Sequence, residues 1–189
     1  MSLELTNLSK KYTDDYVLRN FSYKFKERGV YLIVGNSGSG KTTLMRLIAG
    51  LDKKFDGEII GGGISNTSVA FQEYRLFDTL SALENVYLEK TQDKQKAKGL
   101  LLNLGFTDED SKKSTVELSG GMKQRVSIAR AIFKDSPILC LDEPTKEIGK
   151  ENIGRLSELI KAEAEKRLVI IITHNEEDFA DITYEKINL

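Results

Sequence analysis

The stretch GNSGSGKT at residues 35–42 decides the fold, because it matches the pattern G-x-x-x-x-G-K-[ST] at every defined position. It follows the apolar run Val30–Val34 and precedes a helical pattern over Thr42–Leu51. A strand before the loop and a helix after it form the setting in which this pattern binds phosphate. A surface turn that is merely rich in Gly and Ser is the alternative, and it leaves both flanks without an explanation.

The residue types in this loop suit phosphate. Glycines allow a sharp turn that points successive N–H groups at phosphate oxygens, and the following helix adds the positive end of its dipole. Lys41 supplies a point charge to the β- and γ-phosphates, and Thr42 supplies a hydroxyl to Mg²⁺. The predicted phosphate-binding residues are Gly35, Asn36, Ser37, Gly38, Ser39, Gly40, Lys41, Thr42 and Thr43.

Other short apolar runs resemble the one before the loop. They are Ser68–Phe71, Ile138–Leu141 and Val169–Thr173, and near-continuous apolar runs suit strands of a parallel sheet that is buried on both faces. Helical patterns lie between them, at Thr42–Leu51, from the capping-box sequence Ser81–Glu84 onward, and over Gln92–Leu104, Ser119–Phe133 and Glu151–Lys166. Strands that alternate with helices predict the α/β class.

Three further stretches complete the predicted architecture. Leu3–Leu8 and Phe21–Phe25 indicate half-exposed antiparallel strands near the N-terminus, and Ile182–Leu189 indicates a final strand. Residues 74–114 contain no convincing strand pattern, so we expect an inserted helical subdomain there. The chain is therefore predicted to be one domain over residues 1–189.

Composition narrows the classes of protein. The 189 residues carry 28 Lys and Arg against 29 Asp and Glu, a net charge of -1, so bulk charge gives no reason to expect nucleic-acid binding. The single cysteine excludes an intrachain disulfide. No apolar run approaches the roughly 20 residues that span a bilayer. These observations predict a cytosolic soluble domain.

A second acidic site follows the run Ile138–Leu141, which ends in Asp142 and Glu143. In NTPases with a phosphate-binding loop, an Asp at such a strand end holds Mg²⁺, and an adjacent Glu can act as the general base on the attacking water. A solvated acidic turn is the alternative. The complete phosphate-binding loop elsewhere in the chain favours the catalytic interpretation.

The sequence LSGGMKQR at residues 118–125 lies just upstream of this acidic strand. Together with the two motifs above, it makes the chain resemble the nucleotide-binding domain of the ATP-binding cassette (ABC) superfamily over nearly its whole length. The resemblance implies a P-loop NTPase core, an N-terminal antiparallel β subdomain and a helical subdomain over about residues 74–134. It also implies that the ligands are ATP and Mg²⁺ and that the activity is ATP hydrolysis.

The resemblance also assigns roles to single residues. Tyr12, with Val17 beside it, matches the aromatic that stacks on adenine, although Tyr16 lies close by as an alternative. Gln72 matches a glutamine that contacts Mg²⁺ and the attacking water, and His174 matches a histidine that meets the γ-phosphate. The implied catalytic residues are Lys41, Gln72, Glu143 and His174, and the implied metal ligands are Thr42, Gln72 and Asp142.

A further implication of the resemblance is a head-to-tail dimer of cassettes, either a homodimer or a pair with another cassette. Residues Ser119, Gly120 and Gly121 of one cassette would clamp the ATP bound by the other. Ser119 opens a helix, so its hydroxyl and the nearby N–H groups suit an anion. One motif departs from the family pattern, since Gly149 stands where an Asp is usual, which puts communication across the dimer in doubt.

The function implied is that of the ATPase subunit of a transporter whose membrane permease is a separate chain. Such a subunit is cytoplasmic and peripheral at the inner face of the cell membrane. The apolar residues after Gln72 form either a groove for a permease helix or part of the core, and they are Leu76, Phe77, Leu80 and Leu83. The chain resembles importers of small anions more than exporters. The alternatives are a soluble non-transport ABC ATPase and an ATP-binding regulatory module with little hydrolysis.

Overall fold

The computed structural model describes residues 2–88 and 93–189. Within them the strands are β1 (Glu4–Lys11), β2 (Tyr16–Lys24), β3 (Gly29–Val34), β4 (Asp56–Ile60), β5 (Thr67–Ala70), β6 (Ile138–Asp142), β7 (Leu168–Ile172) and β8 (Tyr184–Asn188). The helices are α1 (Lys41–Ile48), α2 (Ala82–Tyr87), α3 (Lys94–Asn103), α4 (Asp108–Lys112), α5 (Gly120–Phe133) and α6 (Lys150–Ala164). The predicted α/β class is confirmed.

A five-stranded sheet in the order β5-β6-β7-β3-β8 forms the centre of the molecule. All its neighbouring strands pair in parallel, and every residue of β6 and β7 is buried. Side chains of β3 alternate between two apolar clusters, since Val30, Leu32 and Val34 join one and Tyr31 and Ile33 join the other. The sheet is therefore covered on both faces, as the continuous apolar runs predict.

A separate three-stranded antiparallel sheet has the order β2-β1-β4. The strands predicted at Leu3–Leu8 and Phe21–Phe25 correspond to β1 and β2. Strand β4 was not predicted, because its sequence DGEII opens with residues that are depleted in strands. Pairing with β1, such as Leu5 opposite Ile59, supplies the order that local propensity lacks.

Helices α2 to α5 form the helical subdomain. The capping box predicted before α2 is confirmed, because the Glu84 N–H donates to the Ser81 hydroxyl at 3.2 Å and the Ser81 N–H donates to the Glu84 carboxylate at 2.9 Å. The helix predicted over Gln92–Leu104 corresponds to α3, and Gln92 lies outside the described residues. Helix α4 was not predicted; its five residues are too few for a periodic signal.

Among the described residues, no helix has both the length and the apolar character that crossing a bilayer requires.

Shortening a buried side chain of the central strand should measure how much of the free energy of unfolding comes from the core of the sheet. Ile171 lies in β7 and is fully buried, so Ile171→Ala should lower the free energy of unfolding by about 2–5 kcal/mol. Val116 is 62% exposed, and Val116→Ala should change it by less than about 0.5 kcal/mol. Urea unfolding of the nucleotide-free protein gives both values, and equal losses in the two variants would contradict the assignment of the core.

Candidate functional site

The phosphate-binding loop wraps around its own lysine. The ammonium group of Lys41 donates to the carbonyl oxygens of Gly35 at 2.8 Å and of Asn36 at 2.9 Å, and the side chain is only 6% exposed. Gly40 precedes α1 with φ 98, and a Cβ there would lie 2.7 Å from the Val17 carbonyl oxygen. Only glycine therefore fits this position, and its lack of a side chain leaves the start of α1 open.

Two features of the loop fit phosphate. The first turn of α1 has no side-chain cap and no acidic residue, so its N–H groups and dipole are available to an anion. The Ser39 hydroxyl oxygen is buried and has no hydrogen-bond partner within the described residues, although a buried polar group is normally satisfied. Phosphate oxygens would satisfy both, so the residues present fit the triphosphate of a nucleotide.

Asp142 lies beside this loop at the end of β6. The Thr42 hydroxyl donates to its carboxylate at 3.1 Å, and Asp142 is 3% exposed. Burial raises the pKa of the Asp142 carboxyl above its usual range, and the hydrogen bond from Thr42 opposes that rise. A cation would compensate a desolvated carboxylate, and hard oxygen donors are the ligands that Mg²⁺ takes. The donor set therefore fits Mg²⁺.

Glu143 follows Asp142 in a strained conformation. Its φ of 49 lies in the left-handed region, which is costly for a residue with a side chain and is concentrated at functional sites. A hydrogen bond of 2.8 Å from its N–H to the Ile172 carbonyl holds the backbone there. The Glu143 carboxylate lies 3.2 Å from His174 Nε2 and accepts from the His174 N–H at 3.3 Å.

Gln124 was not predicted from the sequence as a residue of the site. It lies in α5 and is almost fully buried, and its side-chain amide donates to the Glu143 carbonyl oxygen at 3.3 Å. The signal was present in the sequence, because positions 124, 128 and 131 share one helix face and Ile128 and Ala131 are core residues. A glutamine on an apolar face needs a buried partner, and that partner is the backbone of Glu143.

Most of the residues that were predicted to bind adenine, to bind phosphate or to take part in catalysis line one cleft. It has a volume of about 340 Å³ and is lined by Tyr12, Val17, Ser37, Gly38, Gly40, Lys41, Thr42, Thr43, Gln72, Asp142, Glu143, Ile172 and His174. Gly35, Asn36 and Ser39 belong to the same loop but do not line the cleft. Of the two candidate aromatics, Tyr12 lines the cleft and Tyr16 does not.

Ser119, Gly120 and Gly121 do not line this cleft. Ser119 caps α5, since its hydroxyl accepts from the Met122 N–H at 3.3 Å. Glu147 covers the start of the helix, because a Cβ on Gly120 would collide with its carboxylate and a Cβ on Gly121 with its carbonyl oxygen.

The Tyr74 hydroxyl holds Glu147 in place by donating to its carboxylate at 2.8 Å. Burial and this hydrogen bond raise the pKa of Tyr74 to about 12.

A second cavity of about 360 Å³ lies beside the helical subdomain, and its lining is mostly apolar. Of the four apolar residues predicted to form either a groove or core, Phe77 lines this cavity and is 55% exposed. Leu83 is a core residue, and Leu76 packs against the same core. Leu80 is half-buried and does not line the cavity. The core alternative therefore holds for Leu83 and Leu76, and Phe77 alone of the four lines the cavity.

The parallel sheet, the phosphate-binding loop and the cleft define a P-loop NTPase, and comparisons with known proteins specify the family. The family model described as "ABC transporter" matches residues 18–146. A probable amino-acid ABC transporter ATP-binding protein of Haemophilus influenzae is 31% identical, with 99% of this chain and 83% of the relative covered. The aliphatic sulfonates import ATP-binding protein SsuB of Bacillus cereus is 34% identical, with 93% and 76% covered.

Solved structures agree with these relatives. The dimeric post-hydrolysis state of the ATP-binding cassette MJ0796, bound to ADP and Pi, has a TM-score of 0.83 and 26% identity, with 99% of this chain and 94% of that one covered. The chain belongs to the ABC transporter family. It is an ATP-binding ATPase of that family, as the sequence predicts.

Substitution of Lys41 should remove most of the thermal stabilisation that bound ATP gives the protein. ATP with Mg²⁺ should raise the Tm by mass action, worth about 2.7 kcal/mol at a hundred times Kd, and Lys41→Ala should lose most of that rise in thermal unfolding. Lys26 precedes β3 and pairs with Glu185 on the surface, so Lys26→Ala should keep the full rise. An undiminished rise in Lys41→Ala would remove Lys41 from the phosphate site.

Proposed function

We propose that this cassette hydrolyses ATP in the cleft and thereby drives transport through a separate membrane permease. One observation carries the proposal: the carboxyl ends of β3, β6 and β7 and the segments that follow them bring Lys41, Asp142, Glu143 and His174 to one cleft. These are the groups that phosphoryl transfer to water requires.

Binding of ATP uses the loop and the aromatic at opposite ends of the nucleotide. The adenine stacks on Tyr12 beside Val17, and the triphosphate lies along residues 35–43. The Lys41 ammonium exchanges the carbonyl oxygens of Gly35 and Asn36 for β- and γ-phosphate oxygens, a charge-assisted and therefore stronger contact. Thr42 and Asp142, with Gln72, would hold Mg²⁺, which would neutralise phosphate charge.

Hydrolysis then depends on the strained Glu143. Its carboxylate accepts a proton from water as the water oxygen attacks the γ-phosphorus, and the bond from that phosphorus to the bridging oxygen of ADP breaks. Lys41 and His174 stabilise the charge that develops on the transferred phosphoryl group. The left-handed backbone of Glu143, held by Ile172 and Gln124, supports this role because it keeps the carboxylate against His174.

A second cassette completes the site. We infer a head-to-tail dimer in which Ser119, Gly120 and Gly121 contact the γ-phosphate bound by the partner cassette. Their absence from the lining of their own chain's cleft supports this arrangement, and the dimeric state of the MJ0796 cassette supports the pairing of two cassettes. ATP then holds the two cassettes together, and hydrolysis releases them.

The apolar cavity provides the second contact, with the permease. Its exposed apolar side chains are Leu51, Ile64, Phe77 and Leu88, and the Arg130 and Lys134 side chains also line it. This combination suits an amphipathic helix with an acidic face. A permease helix on the cytoplasmic side of the membrane is the proposed occupant, which makes the cassette peripheral at the inner face of the cell membrane. The sulfonate relative, named for import, supports the import direction.

Substitution of the proposed general base should trap the ATP-bound state. Glu143→Gln keeps the size of the side chain but removes the proton acceptor, so it should bind ATP, hydrolyse it at least about 100-fold more slowly, and accumulate as a dimer in size-exclusion chromatography. Glu151→Gln, on the exposed first turn of α6, is the matched control and should hydrolyse ATP normally. A dimer of equal strength without nucleotide would contradict the proposal that ATP joins the cassettes.

Gly149 offers a test of communication between the two sites. It precedes α6 with an ordinary φ of −64 and no side-chain cap. The atoms nearest to a Cβ there are the carboxylate oxygens at the flexible end of Glu151, at 2.6 and 2.8 Å, and they can shift aside. Gly149→Asp should therefore fold, and it should raise the steady-state rate of hydrolysis or steepen its dependence on ATP in the presence of the permease. Gly149→Asn supplies the same helix cap without charge. An unaltered rate and Hill slope in Gly149→Asp would contradict a role for this turn.

A further inference from the structure

Lys10 is a buried lysine close to the cleft. It lies in β1 and is 4% exposed, although lysine is almost never fully buried without a partner. Its ammonium group lies 2.8 Å from the Asp52 carboxylate and donates to the Lys54 carbonyl oxygen at 2.6 Å. It also lies over the Tyr12 ring, 4.6 Å from the ring centroid. The buried cation is thus shared between a carboxylate, a backbone carbonyl and an aromatic face.

Asp52 completes this arrangement from the segment that follows α1. Its carboxylate accepts from the Tyr12 hydroxyl at 3.2 Å and from the Lys54 N–H at 3.1 Å. The hydrogen bond from Lys10 holds the pKa of Asp52 below its usual range, so the carboxylate is ionised at neutral pH. The Tyr12 ring is therefore held at two points, its hydroxyl by Asp52 and one face by Lys10.

These contacts restrain an aromatic that would otherwise be free to change rotamer. Tyr12 is 58% exposed and lines the cleft, and an exposed side chain loses rotamer entropy when it binds a ligand. A ring that is already fixed loses less, so its affinity for a base is higher. Because the Lys10 ammonium occupies one face of the ring, the opposite face is the one available for stacking.

We propose that Lys10 and Asp52 are positioning residues that hold the Tyr12 ring ready to stack on the adenine base of ATP. The inference rests on the stacking role proposed for Tyr12 and adds the residues that govern it. Tyr16 provides the internal contrast. Lys11 and Arg19 lie over its ring at 5.7 and 4.9 Å, but Tyr16 does not line the cleft.

The test compares ATP with inorganic tripolyphosphate, which has the phosphates but no base. Dissociation constants of both, each with Mg²⁺, are measured by titration calorimetry on Lys10→Met, Asp52→Asn and Tyr12→Phe, with Lys11→Met as the matched control. The Tyr12→Phe variant keeps the ring and loses only the hydroxyl. We expect Lys10→Met, Asp52→Asn and Tyr12→Phe each to weaken ATP binding by roughly 2- to 10-fold, the value of one such contact, and to leave tripolyphosphate binding unchanged. Lys11→Met should change neither.

Tyr12→Ala separates the stacking role of Tyr12 from the positioning role of Lys10 and Asp52. Loss of stacking should weaken ATP binding by roughly 5- to 150-fold without affecting tripolyphosphate binding. If Tyr12→Ala weakens ATP while Lys10→Met, Asp52→Asn and Tyr12→Phe do not, the positioning role is overturned and the stacking role stands. If Tyr12→Ala has no effect, the stacking role itself fails. An equal loss of affinity for ATP and for tripolyphosphate in Lys10→Met would mean a general structural defect and would also overturn the positioning role.

Discussion

Parallel pairing of β7 with both β3 and β6 is the constraint on which the site depends. In this register Ile172 lies opposite both Ile33 and Asp142, so the carboxyl ends of three strands are side by side. The loop after β3 carries Lys41, β6 ends in Asp142 and Glu143, and β7 leads to His174. A slip of β6 by one residue would turn its carboxylate to the other face of the sheet and dismantle the cleft.

The groups gathered at this edge are costly to hold. Lys41 and Asp142 are buried, the pKa of Asp142 is raised by burial, and Glu143 has left-handed backbone. Local rules would favour none of these features, and such violations are typical of functional sites. The buried strands behind the site offset their cost, since β6 and β7 are entirely buried. The core therefore stabilises a polar cleft that the cleft residues alone could not maintain.

Helix α5 connects the parts of the molecule that have different proposed tasks. It begins at the proposed contact with the partner cassette, its Gln124 amide holds the Glu143 carbonyl, and its Arg130 donates to the Tyr74 carbonyl at 3.1 Å beside the apolar cavity. Tyr74 in turn holds Glu147 over the start of the same helix. A displacement of α5 would therefore disturb the proposed general base, the cavity and the turn that is proposed to meet the partner cassette.

The sequence by itself determined what depends on short stretches of chain. The loop at residues 35–42, the capping box at Ser81 and the continuous apolar runs are local patterns, and the α/β class followed from them. The tertiary structure alone decided which distant residues meet. Tyr12 is joined to Asp52, Gln124 reaches Glu143, and β4 is a strand only because β1 pairs with it. Such contacts depend on which faces pack together, and the periodicity of one segment does not specify which other segment packs against it.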